Sequence, residues 1–424
     1  MRITHILGGF SSVRRDKEFL MSKKLQVLLL TSSMLIITFA LIGGLGVYAA
    51  SSSGDSYKQM TVFSEVMHRI RTEYVEEPNL NSVTSGALHG LLESLDADSS
   101  YLTPGEYKTF KATKADGKAN IGATVSKRFG YAAVVSVVPG GPADKAGISA
   151  GDIIEFVEGQ STHDLSLASV KARMMGEPGS RVDLAVIRAR KIEPQKITVI
   201  RELVTLPAVQ EQNMADAVGY IKVQALNKGK AQEIAGKIKW LQAHGAKKLV
   251  LDLRNNSEGD SEEGVATANL FLNKGLIAYV QGQKYQKITY EADPAKKLTD
   301  LPLVVLVNRG TAGAAELAAA AIQDNGRGEV VGDKTFGEGS VQKLIEVPDG
   351  SALILSIAKY YTPKGKAIQE NGIVPNVLVA NTDEQIVLPD DDDGNTPDEP
   401  QKTQPKEDDQ LRRAIDVLKK SQKG

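Results

Sequence analysis

The residues that could carry out chemistry lie in the second half of the chain. Thr311 and Ser340 supply hydroxyl groups, and Lys334 and Lys343 supply amines on either side of Ser340 in sequence. A hydroxyl is a poor nucleophile until a neighbouring base takes its proton, and a desolvated lysine amine can do so near neutral pH. This segment predicts a hydroxyl–amine pair if the groups meet in the fold. If they do not, Thr311 is expected to cap a helix and the other three to be ordinary polar surface.

A second candidate is a pair of carboxylates, Glu258 and Glu338. Asp260, Glu262 and Glu263 follow the first of them and would give it an acidic rim. Two carboxylates brought together can activate a water molecule or bind a cation. The alternative is a position without a chemical role, at which acidic side chains are simply tolerated.

Composition excludes several classes of site. The chain has no cysteine, which rules out disulfides, thiolate metal sites and a cysteine nucleophile. Its five histidines lack the spacing of a zinc site, and 51 basic residues against 52 acidic ones leave no net charge that would attract nucleic acid. We therefore expect no metal, no cofactor and no nucleic-acid partner. With 424 residues, the chain is long enough for two or three domains.

The N-terminal residues predict a membrane anchor. No charged residue occurs in 25–54, and 25–49 is almost wholly apolar. A helix of this length spans roughly 37 Å, more than the hydrocarbon core of about 30 Å. Basic residues outnumber acidic ones in 1–24, which predicts that this basic segment stays cytoplasmic and that the rest of the chain is exported.

Residues 25–50 are accordingly expected to form a single-pass signal anchor in the cytoplasmic (inner) membrane, with the soluble body facing the periplasm or the cell exterior. A second interpretation stays open, in which this segment is a cleaved signal peptide. Val47-Tyr48-Ala49 has small residues at the −3 and −1 positions that signal peptidase requires.

Four segments follow the anchor. Residues 57–110 have apolar residues at helical spacing, and 112–203 contain short β-rich runs separated by glycines. In 204–388 strands and helices alternate, which indicates an α/β core. Residues 389–424 are an acidic, disordered linker and a short C-terminal helix. The prediction is a multidomain α/β protein with an N-terminal membrane anchor, a helical region, a β-rich domain and an acidic disordered tail.

The β-rich segment contains one long, ordered motif. Residues 140–154 fit the pattern G-x-P-A-x-x-A-G-[IL]-x-x-G-D-x-I, and on these residues 112–203 resembles a PDZ domain. The resemblance places Ile121, Gly122 and Ala123 at the loop that binds the carboxylate of a peptide C-terminus, where backbone N–H groups converge and the next strand pairs with the peptide. The alternative is that these residues merely begin a strand.

Nine short stretches of the α/β segment follow one another in the order and spacing of a known family. They are Gly219–Ile221, Leu249–Asn256, Leu306–Ala312, Gln323–Arg327, Val331–Gly337, Gly339–Gln342, Pro348–Ala352, Tyr360–Pro363 and Gly372–Pro375. On these residues the chain resembles the carboxyl-terminal processing peptidases, the tail-specific serine proteases, over about residues 57–388. The resemblance implies a peptidase core of the ClpP/crotonase-like type in 204–388.

The resemblance also implies a Ser–Lys dyad, which this sequence lacks. The family's nucleophile is the middle serine of G-[ST]-A-S-A-[SA]-E, and Gly313 occupies that position here. The family's general base is the lysine of F-G-K-G, and it corresponds to Glu338, whereas Gln342 matches the glutamine that orients the lysine. Because loss of the nucleophile alone costs about a million-fold in a well-studied serine protease, we expect an inactive member.

The oxyanion loop is changed as well. The family's N-P-G-G is Asn256-Ser257-Glu258-Gly259 in this chain, and Ala314 follows the nucleophile position. Glu258, Gly259 and Ala314 are thus the predicted oxyanion-loop residues. A carboxylate at Glu258 would oppose a transition state in which negative charge develops.

Three functions remain open. The first is a non-catalytic, membrane-anchored member that binds unfolded or C-terminal polypeptide tails through its PDZ domain. The second is an active serine-type endopeptidase that processes C-terminal tails, with its nucleophile relocated to Thr311 or Ser340. The third is a structural partner of an active paralogue, since the resemblance also implies oligomers, either of this chain alone or mixed with the paralogue.

Overall fold

The structure is a computed structural model that describes residues 57–113, 117–188, 191–380 and 408–420, together with Thr31, Ser32 and Met34. The anchor predicted at 25–50 and most of the acidic linker lie outside these described residues. Within the described ranges, no helix is both long enough and apolar enough to cross a membrane. The chain divides into two units, Met1–Val83 and Thr84–Gly424.

In the first unit, residues 57–73 are helical (α1), and their side chains are exposed or half-buried. Arg69 forms ion pairs with Glu65 and Glu73, one turn away on either side, both at 2.8 Å. Pairs at this spacing stabilise a helix by about 0.2–0.5 kcal/mol each. The helix therefore depends on local contacts in the part of the chain that the structure describes. The next helix, α2, is Leu80–Glu93.

The second unit contains residues 84–93 of α2, followed by a short strand, β1 (Ser100–Leu102), and helix α3 (Pro104–Thr113). The region predicted as helical at 57–110 thus contains a strand as well. Glu106 of α3 accepts a hydrogen bond from Ser169 at 2.8 Å and lies 3.4 Å from His89. Burial acts to raise the pKa of Glu106, but hydrogen bonds from His89 and its other neighbours outweigh it and lower the pKa to about 2. This carboxylate joins α2 and α3 to the β-rich domain.

The β-rich domain is an antiparallel sheet of six strands in the order β2-β3-β4-β6-β7, with β5 paired to β4. Along β6, Val182, Leu184 and Val186 are buried and the residues between them are more exposed. This alternation is typical of a sheet with one face covered. Helix α5 covers that face. The elements are β2 (Ala123–Arg128), β3 (Tyr131–Val137), α4 (Pro142–Lys145), β4 (Ile153–Val157), β5 (Gln160–Ser161), α5 (Leu167–Met174), β6 (Arg181–Arg188) and β7 (Lys191–Ile200).

The α/β core is built on a second six-stranded sheet in the order β17-β14-β13-β10-β9-β8, parallel except for β8. Every residue of β10 and β13 is buried, because helices α6, α7 and α8 cover one face and α9 covers the other. The elements are β8 (Gln210–Met214), β9 (Val218–Lys222), α6 (Lys230–Ala243), β10 (Lys248–Asp252), α7 (Ser261–Asn269), β13 (Leu303–Val307), α8 (Ala314–Asp324), β14 (Glu329–Gly332), β17 (Val377–Leu378) and α9 (Asp409–Lys420).

A third, antiparallel sheet has the order β1-β16-β11-β12, with β15 paired to β16. Its strand β1 comes from the beginning of the unit, and Ser100 lies opposite Ile354. The remaining strands are β11 (Leu276–Gln281), β12 (Ile288–Glu291), β15 (Ser340–Glu346) and β16 (Ala352–Tyr361). This sheet positions the loop that carries Glu338.

Candidate functional site

The Gly313 and Glu338 positions meet in one small pocket of about 160 Å³. Gly313 is the N-cap of α8, and Glu338 lies in the loop that leads into β15. A Cβ atom built on Gly313 would lie 4.0 Å from Oε2 of Glu338. The pocket is lined by Ser257, Gly259, Ser261, Gly313, Ala314, Leu317, Glu338, Gly339, Ser340 and Tyr360. The two substituted positions are therefore neighbours in space, as a nucleophile and its base would be.

The backbone at Gly313 has a conformation that favours glycine. Its φ of 59° and ψ of −118° let the chain turn sharply into helix α8. A residue with a side chain held in such a sparsely populated region costs about 1–3 kcal/mol. This sharp turn presents residue 313 at the N-terminus of a buried, alanine-rich helix.

Glu316, in the first turn of α8, holds the two sides of the pocket together. Its buried carboxylate accepts hydrogen bonds from the N–H groups of Gly313 at 3.0 Å and of Gly337 and Glu338 at 2.8 Å each. The hydroxyl of Thr335 donates a fourth bond. Burial raises the pKa of Glu316 to about 8, although these four donors oppose the rise. Glu316 is the last residue of the motif that contains Gly313, but sequence reasoning gave it no role.

Glu338 is a half-buried carboxylate in the pocket. Burial raises its pKa, the negative charges of Asp98 and Glu258 add to the rise, and the positive charge of Lys171 opposes it. The pocket thus places a carboxyl group where the family reaction uses an amine, opposite a residue without a hydroxyl.

The predicted oxyanion-loop residues divide into two groups. Gly259 and Ala314 line the pocket, and Ala314 begins a helix, so that its N–H has no partner within that helix. A Cβ at Gly259 would lie 2.4 Å from the carbonyl oxygen of Leu226, so this position admits only glycine. Glu258 does not line the pocket. Its carboxylate accepts a hydrogen bond from Thr124 of β2 at 2.9 Å, because the β-rich domain packs against this loop.

Gln342 lies outside the small pocket. It lines a larger cavity of about 650 Å³, together with Asp98 and Lys171.

In the predicted carboxylate loop, Ile121 is buried in the core of the β-rich domain, and the N–H of Gly122 donates to Oδ1 of Asn120 at 2.7 Å. Ala123 begins β2, the edge strand of the sheet.

The hydroxyl groups proposed as relocated nucleophiles have different surroundings. Thr311 is buried and donates to the carbonyl oxygen of Leu253 at 2.8 Å, so it is not the helix cap that the sequence predicted. Ser340 lines the small pocket and donates to Asp98 at 2.9 Å. Lys334 and Lys343 are exposed, and neither lines this pocket. The predicted hydroxyl–amine pair is thus not assembled there.

Carboxylates of the acidic rim are used structurally. Glu263 accepts hydrogen bonds from the N–H groups of Gly229 and Ala231 at 2.8 Å each, at the start of α6. Asp260 is the N-cap of α7 and Glu262 lies in its first turn, where negative charge is favourable. Among the described residues, no cluster of three or more acidic or histidine side chains could hold a metal ion.

Comparison with known proteins places this geometry in a family. The sequence pattern of Peptidase family S41 matches residues 217–379, and that of the PDZ domain matches residues 134–188. A carboxy-terminal-processing protease of Bartonella bacilliformis is 32% identical over 330 residues, which cover 77% of this chain and 76% of the relative. The chain belongs to the carboxyl-terminal processing protease family.

Two further members support the assignment to this family. The carboxy-terminal processing protease CtpA of Bacillus subtilis is 33% identical over 77% of this chain and 70% of its own length. The solved structure of a photosystem II D1 C-terminal processing protease superposes with a TM-score of 0.63 at 28% identity, covering 76% of this chain and 92% of that one. The architecture is therefore that of the family, a PDZ domain on an S41 peptidase core.

Besides Glu316, two residues at the site escaped sequence reasoning. Asp98, before β1, accepts hydrogen bonds from Ser340 and Gln369 at 2.9 Å each and so fixes the loop around Glu338 from outside the core. Lys171, on α5 of the PDZ domain, acts electrostatically on Glu338. Neither lies in a peptidase motif, and only the packing of the β-rich domain and β1 against the core brings them near.

Proposed function

We propose that this chain is a non-catalytic member of its family, which binds unfolded or C-terminal polypeptide tails without cutting them. One observation carries the proposal: the residue at the nucleophile position, Gly313, has no side chain, and the group that faces it is the carboxylate of Glu338. Hydrolysis by the family reaction requires a hydroxyl and a base at these two points. Binding of a tail requires neither.

The PDZ domain supports the binding half of the proposal. Its strand β2 is the edge of the sheet, and α5 lies beside it, which is the arrangement by which such domains add an extended peptide as a further strand.

The proposal also keeps the membrane anchor at 25–50 and the orientation of the body toward the periplasm or the cell exterior. Their support is the apolar, uncharged segment and the basic residues before it.

The test compares the natural chain with a Gly313→Ser/Glu338→Lys double variant. Each is incubated with an unfolded protein that ends in apolar residues, and both binding and the appearance of fragments are followed with time. We expect the natural chain to bind the protein and leave it intact. We expect the double variant to cut it, because Gly259 and Ala314 of the oxyanion loop line the pocket beside the two restored positions.

A Gly313→Ala/Glu338→Lys variant is the matched control, since it restores the amine without the hydroxyl and should remain inactive. Cleavage by the natural chain above the rate of this control would contradict the proposal. Failure of the natural chain to bind any tail would contradict it equally.

A second candidate function, endopeptidase activity with Ser340 as nucleophile, has one observation in its favour. Ser340 lines the same pocket as Gly259 and Ala314, and its hydroxyl donates to the carboxylate of Asp98. A carboxylate partner can accept the proton of an attacking hydroxyl. This candidate predicts that the natural chain cleaves the unfolded protein and that a Ser340→Ala variant does not. A Thr311→Val variant is not informative, because it would also remove the buried hydrogen bond of Thr311.

A further inference from the structure

The small pocket carries a charge opposite to that of the family motif. The motif has a lysine at the position of residue 338, whereas this chain has a glutamate there, and that glutamate lines the pocket. The exchange turns a site that carries an amine into one that can accept an amine from outside. The contacts of Glu338 decide whether its charge is already used within the chain.

The carboxylate of Glu338 has no partner among the described residues. Its backbone N–H donates to Glu316 at 2.8 Å, but within the described part of the chain no group donates a hydrogen bond to its side chain and no cation forms an ion pair with it. Burial raises the pKa of this carboxyl group, the negative charges of Asp98 and Glu258 add to the rise, and the positive charge of Lys171 opposes it. Since an ionised group removed from water is costly without a partner, a cation that enters the pocket would stabilise this carboxylate.

Ser261 supplies a second acceptor in the pocket. It is the first residue of α7, and its hydroxyl forms no hydrogen bond with the residues that the structure describes. The other two serine hydroxyls of the pocket are already bonded, because Ser257 donates to Thr124 and Ser340 donates to Asp98. A carboxylate and a hydroxyl oxygen are the kinds of acceptor that the three N–H donors of an ammonium group require.

The pocket has the size of one side chain. Its volume of about 160 Å³ lies below the range of about 300–1,000 Å³ in which small molecules are commonly bound. Leu317 and Tyr360 add apolar surface to its wall. Because residue 313 is a glycine, a Cβ built there would approach Oε2 of Glu338 no closer than 4.0 Å and would touch no other described side chain. A lysine side chain, with its apolar stem and charged end, fits surroundings of this kind.

The N-terminus of α8 favours a polypeptide as the source of the amine. Ala314 lines the pocket, and its N–H has no partner within the helix. A main-chain carbonyl oxygen next to the lysine can accept a hydrogen bond from this N–H, whereas a metal ion or a simple amine cannot. In the ranges that the structure describes, no three acidic or histidine side chains are grouped so as to hold a metal ion.

We propose that the pocket at Gly313 and Glu338 holds a lysine side chain of the bound polypeptide, with its ammonium group on the carboxylate of Glu338 and the hydroxyl of Ser261. The stem of the lysine packs against Leu317. The inference rests on the proposed function and deepens it, because it names the ligands as polypeptides that contain a lysine. The same glutamate that leaves the family dyad incomplete then selects the ligand.

The first test measures binding of fluorescent peptides to the full chain in detergent. The series moves a single lysine along an otherwise uncharged sequence with a constant apolar C-terminus, and each peptide has a counterpart with Nε-acetyllysine in place of the lysine. At one or more positions we expect the natural chain to bind the lysine form about tenfold more tightly, which corresponds to about 1.4 kcal/mol. A Glu338→Gln variant should bind the two forms equally.

A Glu262→Gln variant is the matched control. Glu262 is an exposed carboxylate of the acidic rim and does not line the pocket. This variant should keep the preference for lysine. Equal loss in both variants would mean that an acidic surface attracts the peptide without a specific site, which overturns the assignment.

The second test reverses the charge of the pocket. A Glu338→Lys variant should bind the lysine form about tenfold more weakly than the acetyllysine form, and it should bind a peptide with glutamate at this position more tightly than the natural chain does. A Ser261→Ala variant should reduce the preference of the natural chain about threefold, since one of the two acceptors remains. This third variant keeps the assignment testable if a change at residue 338 prevents folding.

The outcomes separate this inference from the proposed function. If the natural chain binds the lysine and acetyllysine forms equally at every position, the pocket assignment is wrong, although the chain still binds tails. If no peptide binds to any form, the proposed function fails and the inference with it. n-Butylamine has the ammonium group and stem of lysine without a polypeptide. If it binds to the natural chain more tightly than the peptide and loses affinity in Glu338→Gln, the assignment to a polypeptide is overturned.

Discussion

At the residue scale, the geometry of the small pocket depends on Glu316. One buried carboxylate bonds the turn at Gly313 to the loop at Gly337 and Glu338 and so fixes the separation of the two sides. Removing one partner from a buried polar network leaves the remaining groups unsatisfied, which costs about 1–3 kcal/mol for each such group. Glu316 thus maintains the shape of the pocket around Gly313 and Glu338.

We expect Glu316 to make stability depend on pH. Its pKa is raised from 4.5 to about 8, so the folded chain binds a proton that the unfolded chain releases. The contribution of Glu316 to the free energy of unfolding is therefore fully present below about pH 4.5 and is lost as the pH rises toward 8. Urea unfolding of the natural chain and of Glu316→Gln between these limits measures the slope, which the variant should lose.

A Glu329→Gln variant controls for the loss of a carboxylate, because Glu329 is exposed at the start of β14. It should keep the pH dependence of the natural chain. An unchanged slope in Glu316→Gln would show that this carboxyl group is ionised in the fold.

Glycine substitutions test the backbone of the pocket. Gly313→Ala should lower the free energy of unfolding by about 1–3 kcal/mol, because its φ of 59° is unfavourable for a residue with a Cβ atom. Gly236→Ala is the matched control in an exposed helical position of α6 with no atom near the new Cβ, and it should raise stability by about 0.5–1 kcal/mol. Chemical denaturation of both variants measures the difference. Equal effects would contradict the strain argued for residue 313.

At the scale of the elements, an ion pair holds the N-terminus of helix α9 on the core. Arg254, after β10, forms two parallel bonds to Asp408 at 2.7 and 2.9 Å and also contacts the buried Asp252. Ala414 and Leu418 then bury the apolar side of the helix against the central sheet. The ion pair with Arg254 fixes the start of α9, and the apolar contacts hold the rest of the helix against the sheet.

Asp408→Asn should loosen α9 without unfolding the core. Burial acts to raise the pKa of Asp408, but hydrogen bonds from Arg254 and the N–H of Leu411 lower it below its usual value. The stabilisation is thus present above about pH 3.8 and is lost below it. Because the pair is partly exposed, it is worth about 0.2–1 kcal/mol, and amide exchange in 409–420 should accelerate by up to about fivefold.

An Asp416→Asn variant is the control for this experiment, since Asp416 is an exposed residue on the same helix. It should leave the exchange rates unchanged. Equal acceleration in both variants would mean that Arg254 does not hold the helix.

The sequence predicts the secondary-structure elements better than the long-range contacts that they make with one another. Periodicity and motif order identify the β-rich domain and the alternating core, because these signals are local. The strand at Ser100–Leu102 is missed within a segment that has helical spacing, since its only signal is pairing with Ile354 and its neighbours, far along the chain. The orientation of Glu258 is missed for the same reason, because Thr124 belongs to another domain.

At the scale of the whole molecule, the PDZ domain and the peptidase core are joined at the altered oxyanion loop. Ser257 donates to Thr124 at 2.8 Å, and Thr124 donates to Glu258 at 2.9 Å. Two of the residues that depart from the family motif therefore contact the edge strand β2 of the PDZ domain. Their polar side chains stabilise the packing of one domain on the other.

Replacing Glu258 should weaken this contact and spare the fold. In Glu258→Ala, exchange of the backbone amides of 123–128 should accelerate by about five- to tenfold, because a hydrogen bond to a charged group is worth roughly 1–3 kcal/mol and this one is exposed. Glu177→Ala, which removes an exposed PDZ carboxylate elsewhere, should not change these amides. Exchange that is unaffected in Glu258→Ala would show that the bond contributes nothing to domain packing.

The turn into α8 has a consequence for any attempt to install a nucleophile at this site. A serine at position 313 would have to be held in a conformation that glycine adopts without penalty, so Gly313→Ser adds a hydroxyl and lowers stability at the same time. An engineered peptidase built on this scaffold would therefore need a compensating stabilising substitution elsewhere in the fold.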